Sequence, residues 1–134
     1  MQLKFRAWHE SYEIMGKVVK IDLLSDNPNE HRFEMLTVDD EIIDCVPEDV
    51  VLMQSSGLND KYGNDIYTKD ILKVILPLRS IIGVVEFVRG AFIFRSRNEV
   101  YTLYEIFEEV EAGLASFEVL GNEFENLDIL KRTC

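Results

Sequence analysis

Residues 3 to 8, LKFRAW, alternate along the chain, with Leu3, Phe5 and Ala7 on one side and Lys4 and Arg6 on the other. A period of two is that of a strand with one buried face, so a β-strand is expected here, ended by Trp8, His9 and Glu10. Tyr12 to Leu24 has room for one or two more strands. SDNPNE (25 to 30) reads as a loop, because five of its six residues are turn-formers or helix caps. Arg32 to Val38 reads as a further strand, Val38-Asp39-Asp40-Glu41 as an acidic connection, and Pro47-Glu48-Asp49 as the start of a single helical turn.

The run IIGVVEFVRGAFIFRSR, 81 to 97, contains its own register. With Arg89-Gly90 as a two-residue hairpin loop, Val88 faces Ala91, Phe87 faces Phe92, Glu86 faces Ile93, Val85 faces Phe94 and Val84 faces Arg95. One face then collects Val85, Phe87, Phe92 and Phe94 as a dry set, and the other sets Glu86 diagonal to Arg95. A helix follows over about 103–112. Thr102 and Glu105 have capping-box spacing, Tyr101 and Ile106 that of a hydrophobic staple, and Gly113 suits the position after the last turn. Leu103, Ile106, Phe107 and Val110 form its apolar stripe, with Glu105, Glu108, Glu109 and Glu111 on the wet side. Phe117 to Leu120 is a late strand, and Asn126 caps a short terminal helix.

Between two apolar runs lies LMQSSGLNDKYGNDIYTKDIL, 52 to 72, polar and punctuated by Gly57 and Gly63. Asp60-Lys61-Tyr62-Gly63 fits a type I turn, and Gly57 looks like a backbone bend. Counting back from Gly63 puts Leu58, Asp60 and Tyr62 where a calcium loop needs ligands, so calcium is excluded. Gly57 and Gly63 are followed by Leu58 and Asn64 rather than by Lys and Ser or Thr, which excludes a phosphate loop. Asp65 and Asp70 could form an acid/base pair, but no recognisable constellation with a His, Lys or nucleophile completes it.

At 134 residues and 47% apolar, the chain is long enough to fold without a disulfide or metal. Cys45 and Cys134 are expected as reduced thiols, and the charged start and short apolar runs point to a soluble, cytoplasmic protein without membrane segments. The net charge of −11 argues against broad binding to a polyphosphate. Charge is nevertheless segregated: Lys73, Arg79, Arg89, Arg95 and Arg97 face only Glu86 over 73 to 97, whereas 98 to 128 holds nine acids and no Lys or Arg. Such blocks can pair within one fold or between subunits. Arg89-Gly90-Ala91-Phe92 departs in order from the RNA-binding strand signature, which wants an aromatic residue before the Gly or Ala. His9 and His31 lack partners at zinc-site spacing, and no Ser-His-Asp or Cys-His nucleophile is evident. No cofactor, metal or catalytic residue is assigned.

KFRAW (4 to 8) with Met15, LMQ (52 to 54), Gly57-Leu58, Asp60-Lys61, Gly63, Ile66-Tyr67, Asp70-Ile71, Gly83-Val84-Val85, Phe92, EVLGN (118 to 122) and Glu125-Asn126 together resemble the YopX family of bacteriophage and prophage proteins. The departures are His9 where an acid is common, Ser55-Ser56 for an aromatic-Thr pair, Lys69 for a Gly, and Leu127 for a Pro. Lys69 weakens the case for a sharp bend before Asp70. The resemblance implies a β-rich fold and a phage gene product in bacterial cytoplasm, and it brings no catalytic residues.

The expectation is therefore a mainly β, β-rich α+β protein. An N-terminal β lobe over 1–50 precedes a small SH3-like barrel or curled antiparallel sheet over 51–134 with one short helix. Candidate structural or interaction residues are Trp8, Gln54, Gly57, Asp60, Gly63, Tyr67, Asp70, Gly121 and Asn122. Trp8 is expected to anchor lobe packing, as are Gln54, Tyr67 and Asp70. The expected function is a non-catalytic binding or assembly module, partnered by itself as a homo-oligomer or by another phage or host protein. A nucleic-acid-associated protein using 79 to 97 is the alternative, and an enzyme with an unrecognised carboxylate site the third.

Overall fold

A computed structural model describes residues 4–22 and 33–133. The loop expected at 25 to 30, Leu3, His31, Arg32 and Cys134 lie outside the described residues. The chain divides into two compact units, Met1–Gln54 and Ser55–Cys134.

The first unit is an antiparallel sheet. Its strands are β1 (Phe5–His9), β2 (Ile14–Ile21), β3 (Phe33–Leu36), β4 (Ile42–Cys45) and the first half of β5 (Val50–Asn59), in the order β4-β3-β2-β1-β5. Tyr12 to Leu24 thus holds one strand within its described part. β4 was not anticipated, because its residues, Ile-Ile-Asp-Cys, do not alternate and Ile42 is exposed. The acidic stretch after Thr37 is the turn of the β3–β4 hairpin, with Asp40 at a φ of 61° and its N–H donating to the Thr37 carbonyl at 3.1 Å. The expected helical turn is a 3-10 turn at Pro47–Asp49. Ala7, Phe33, Met35, Cys45 and Val50 form the core, with Val18, Ile21 and Ile43 against it. Burial, with Asp49 and Asp44 nearby, pushes the Cys45 thiol upward, so it stays protonated and weakly reactive.

In the second unit, the C-terminal half of β5 pairs with β6 (Asp65–Tyr67). A five-stranded antiparallel sheet follows from β7 (Asp70–Ile75), β8 (Ser80–Val88), β9 (Ala91–Arg95), β10 (Val100–Thr102) and β11 (Ser116–Asn122), in the order β10-β9-β8-β7-β11. The hairpin register is as expected, from Val88–Ala91 to Val84–Arg95. Arg89 and Gly90 have φ of 50° and 83°, the positive pair that a type I′ turn requires. Glu86 and Arg95 form the diagonal ion pair, at 3.2 Å. The dry face is shorter than expected. Val85 and Phe94 are fully buried, but Phe87 is 49% exposed and Phe92 half-buried. These two pack on each other, centroids 4.9 Å apart, near the hairpin tip.

The helix is α1 (Leu103–Glu111), and a second helix, α2 (Leu127–Thr133), stands where Asn126 was expected to cap one. The Thr102 hydroxyl accepts from the Glu105 N–H at 3.1 Å, half of the capping box. At the other end the Leu114 N–H donates to the Glu109 carbonyl and the Gly113 N–H to that of Val110, a Schellman ending with Gly113 at a φ of 78°. Leu103 and Ile106 seal a core of Ile66, Leu72, Val74, Ile81, Val85, Phe94 and Phe117. None of the helices among the described residues is long and apolar enough to cross a membrane.

The segment 52 to 72 corrects two expectations. It is not a passage between strands, because β5 runs through Gln54, Ser55 and Ser56 to Asn59. Two residues are extra on the β5 side between the Ser55–Tyr67 and Asn59–Asp65 pairs. The Ser55 and Ser56 hydroxyls accept from the N–H groups of Gly57 and Leu58, both at 3.1 Å, and shape this bulge. The chain also bends sharply before Asp70 without a glycine. Lys69 sits at a φ of 71°, its N–H donating to the Val85 carbonyl at 2.7 Å and its carbonyl accepting from the Glu123 N–H at 2.9 Å. Those bonds impose a conformation that costs a residue with a Cβ about 1 kcal/mol. Lys69→Gly is therefore expected to raise the unfolding free energy by about 1 kcal/mol, since the exposed Lys69–Glu123 pair it removes contributes little. A urea titration would read this as a higher midpoint at unchanged slope, and a lower midpoint would refute it.

Candidate functional site

Most of the sequence-selected residues of the second unit gather into two internal networks. The first centres on Asp60, which is 7% exposed. Its turn closes as a type I turn should, with the Gly63 N–H donating to the Asp60 carbonyl at 3.0 Å. One carboxylate oxygen accepts from the Tyr62 and Asn64 N–H groups, both at 2.9 Å. The other accepts from the Asn64 side-chain amide at 3.2 Å and from the Val119 N–H, 59 residues along the chain, at 2.9 Å. The Lys61 N–H donates to the Phe117 carbonyl at 3.0 Å. Phe117 and Val119 already pair with β7 on one side, so the turn satisfies outward-facing backbone groups on the other side of β11. A side chain and one amide thus close a sheet edge that would otherwise be open to another strand.

Burial disfavours the charged form of Asp60, but the bonds from Val119, Asn64 and Tyr62 outweigh it and hold the carboxyl below its ordinary value of 3.8. Gly63, at a φ of 87°, ends the turn, and Gly57, at 82°, lies in the β5 bulge.

The second network lies where β6, β7 and β11 end. Asp70 is 1% exposed and accepts from the Tyr67 N–H at 2.8 Å, which fixes the turn through Lys69. Its register partner is Asn122. The Asn122 side-chain oxygen accepts from the N–H groups of Phe124 and Glu125, at 3.0 and 2.9 Å, and its amide donates to the Glu125 carboxylate at 2.9 Å. The Asn126 side chain accepts from the Asn122 N–H at 3.2 Å. A Cβ on Gly121 would overlap the Asn126 carboxamide, which explains the glycine. Asp65 is half-buried on β6, and with Asp70 holding a turn amide the two do not stand as an acid/base pair facing solvent.

Trp8 and Gln54 belong to the first unit. Trp8 is half-buried on β1 between Met15 and Val51, and Gln54 ends the β1–β5 ladder opposite Phe5. His9, buried, accepts through Nδ1 from the Tyr12 N–H at 3.2 Å and stacks on the Tyr12 ring at 4.3 Å. A carboxylate could accept the same bond, so His9 fits a position where an acid is common.

Sequence reasoning missed two features of the second unit. Arg79 forms a two-pronged pair with Glu99, at 2.7 and 3.1 Å, and the Tyr101 hydroxyl donates to the same carboxylate at 2.8 Å. These bonds, from Arg79 and then Tyr101, hold the Glu99 carboxyl below the ordinary range. Part of the segregated charge therefore pairs within the fold. The signal was available, since counting the hairpin register on beyond Val84–Arg95 brings Ser80 level with Glu99, one residue from Arg79. The second feature is an apolar cleft of about 270 Å³ between α1 and the sheet, lined by Val74, Leu76, Ile81, Phe94, Tyr101 and Ile106, with Glu105 and Glu109 from α1. A more open polar hollow of about 530 Å³ adjoins it across Ile81, lined by Arg79, Ser80, Ser96, Arg97 and Glu99. Among the described residues, no three His, Cys, Asp or Glu converge as a metal would need.

The model of the YopX protein family matches residues 4–131. This chain belongs to the YopX family. Two solved structures share its fold across nearly the whole length. Protein EF1440 from Enterococcus faecalis is 25% identical with a TM-score of 0.64, covering 97% of this chain and 99% of that one. YopX from Bacillus subtilis is 20% identical with a TM-score of 0.61, covering 95% and 97%. No curated protein matches. YopX membership accounts for the signature residues, and the geometry gives several of them work: Asp60 closes β11, Gly121 admits Asn126, and Asn122 orders the turn into α2.

Asp60→Asn would turn an amide donor towards the N–H of Val119 or of Tyr62 and Asn64, and is expected to destabilise by about 2 kcal/mol. Because the folded carboxyl binds its proton less tightly than the unfolded one, its contribution is complete above the unfolded value and is lost as pH falls through the folded value. As pH falls below about 5 the wild type should lose stability more steeply than Asp60→Asn. Parallel slopes in denaturant titrations over that range would refute the assignment. Gly121→Ala is expected to cost about 2 kcal/mol, and less in an Asn126→Gly background. Additive losses would mean that the two residues do not meet.

Proposed function

We propose that this chain is a non-catalytic binding or assembly module, carried by a phage or prophage and acting in the bacterial cytoplasm. The observation that carries this reading is what Asp60 and Asp70 do. Both are buried acceptors of backbone N–H groups, Asp60 with three such bonds and a fourth from the Asn64 side-chain amide, and Asp70 with the Tyr67 amide. A general acid or base must exchange its proton with a substrate within hydrogen-bond reach, and these carboxylates are turned to the backbone instead. A partner would meet the acidic outer face of α1 and the exposed apolar side chains around the second sheet, among them Leu78, Phe87 and Val88.

Nucleic-acid binding through 79 to 97 is the weaker reading. Arg79 and Arg95 are held by Glu99 and Glu86, and a phosphate would have to displace those carboxylates. Labelled single- and double-stranded DNA and RNA should therefore show no binding at about 50 mM salt, where phosphate contacts are strong. Binding that weakens steeply with added salt would overturn the proposal in favour of a phosphate-contacting protein. The positive arm is a pull-down with the tagged chain from lysogenic or infected cells, where a protein retained in stoichiometric amount is expected. Sedimentation at low and high salt tells whether that protein is a second copy.

A further inference from the structure

The cleft between α1 and the sheet has the attributes of a docking site, and nothing in the internal networks uses it. Its floor is dry: Val74, Ile81, Phe94 and Ile106 are core residues, and Leu76 and Tyr101 form half-buried walls. The Tyr101 ring is held in place because its hydroxyl donates to Glu99, which Arg79 grips from the other side. The opening is acidic. Glu105 and Glu109 are exposed, one turn apart on α1, and neither takes part in an ion pair among the described residues. Among the described residues no Lys or Arg lines the cleft itself, and of the two arginines that line the adjoining hollow, Arg79 is tied to Glu99 while Arg97 is exposed. Two residues beyond Leu76, Leu78 projects from the β7–β8 turn at 99% exposure.

Size and charge select the occupant. At about 270 Å³ the cleft is smaller than a typical site for a drug-sized ligand, and suits one large side chain. Two exposed carboxylates without an ion pair among the described residues, beside an apolar opening, favour a cation on the group that enters, all the more on a chain of net charge −11. We propose that this cleft receives an aromatic or large aliphatic side chain from a partner protein, presented on a segment with Lys or Arg beside it. This rests on the binding-module reading and gives it a place: the apolar side chain fills the cleft, and the flanking cations meet Glu105 and Glu109.

The test uses the full chain and three synthetic peptides: Lys-Lys-Phe-Lys-Lys, its Glu-for-Lys counterpart, and its Ala-for-Phe counterpart. Amide NMR shifts on titration with the first peptide should concentrate at Leu76, Ile81, Tyr101, Glu105, Ile106 and Glu109, and the other two peptides should bind at least about tenfold more weakly. The chain carrying Glu105→Gln and Glu109→Gln, both exposed and with side chains in no hydrogen bond or ion pair among the described residues, should keep its melting temperature and bind the Lys-rich peptide about tenfold more weakly. Equal binding of the acidic peptide, equal binding by the double variant, shifts located elsewhere, or no shifts at millimolar peptide would each overturn the proposal. Repeating the cellular pull-down with the double variant separates the two levels. A partner captured equally by both chains refutes this site and leaves the module reading standing, whereas no partner for the wild type removes that reading as well.

Discussion

The second unit depends on a carboxylate closing a sheet edge. Strand β11 is the last of its sheet, and its outer N–H and C=O groups would otherwise be open to any passing strand. A helix or a further strand is the usual cover. Here a four-residue turn does it, with the Asp60 side chain taking the Val119 N–H and the Lys61 amide supplying the Phe117 carbonyl. The same carboxylate holds the turn in shape, so the loop that covers the edge and the edge that receives it are fixed by one group. Residues before β6 are thereby tied to residues near the C-terminus, which neither helix propensity nor strand alternation could arrange.

The second network works alongside the first at the far end of β7 and β11. Asp70 fixes the bend into β7, Lys69 bonds to β8 and to Glu123, and Asn122 organises the chain that leads into α2. Both networks are polar and internal. The carboxylates of the 52 to 72 passage that a ligand would need most, Asp60 and Asp70, are thus buried against backbone amides. The exposed surface of the second unit has a different chemistry, with apolar side chains such as Leu78 and Phe87 and the glutamates of α1.

Elements whose local pattern and global role agree were legible from the residues. The β8–β9 register followed from a two-residue turn and β-branched and aromatic pairs, and α1 from its cap, its stripe and Gly113. Three things were not. β5 carries a Gln-Ser-Ser-Gly passage that reads as loop, and it stays a strand only because its ladder and hydroxyl-to-amide bonds override a poor β composition. The Phe87–Phe92 pair reads as core by alternation, yet alternation cannot say where the overlying core ends along a long hairpin. The cleft is assembled from four strands and a helix, so no local pattern contains it. Asp60 was legible as a turn residue, while its bond to Val119 was not, because a contact 59 residues distant leaves no trace in spacing.

Lys69 bears on what a family signature can say. Its backbone is gripped by β8 on one side and by Glu123 on the other, and Asp70 holds the turn from within. The shape belongs to the surrounding bonds, and the residue that occupies it is a passenger. Drift can therefore remove a signature glycine without moving the chain. In this chain the acceptors that grip the turns, such as Asp60, Asp70 and Asn122, say more about the path of the backbone than the placing of its glycines does.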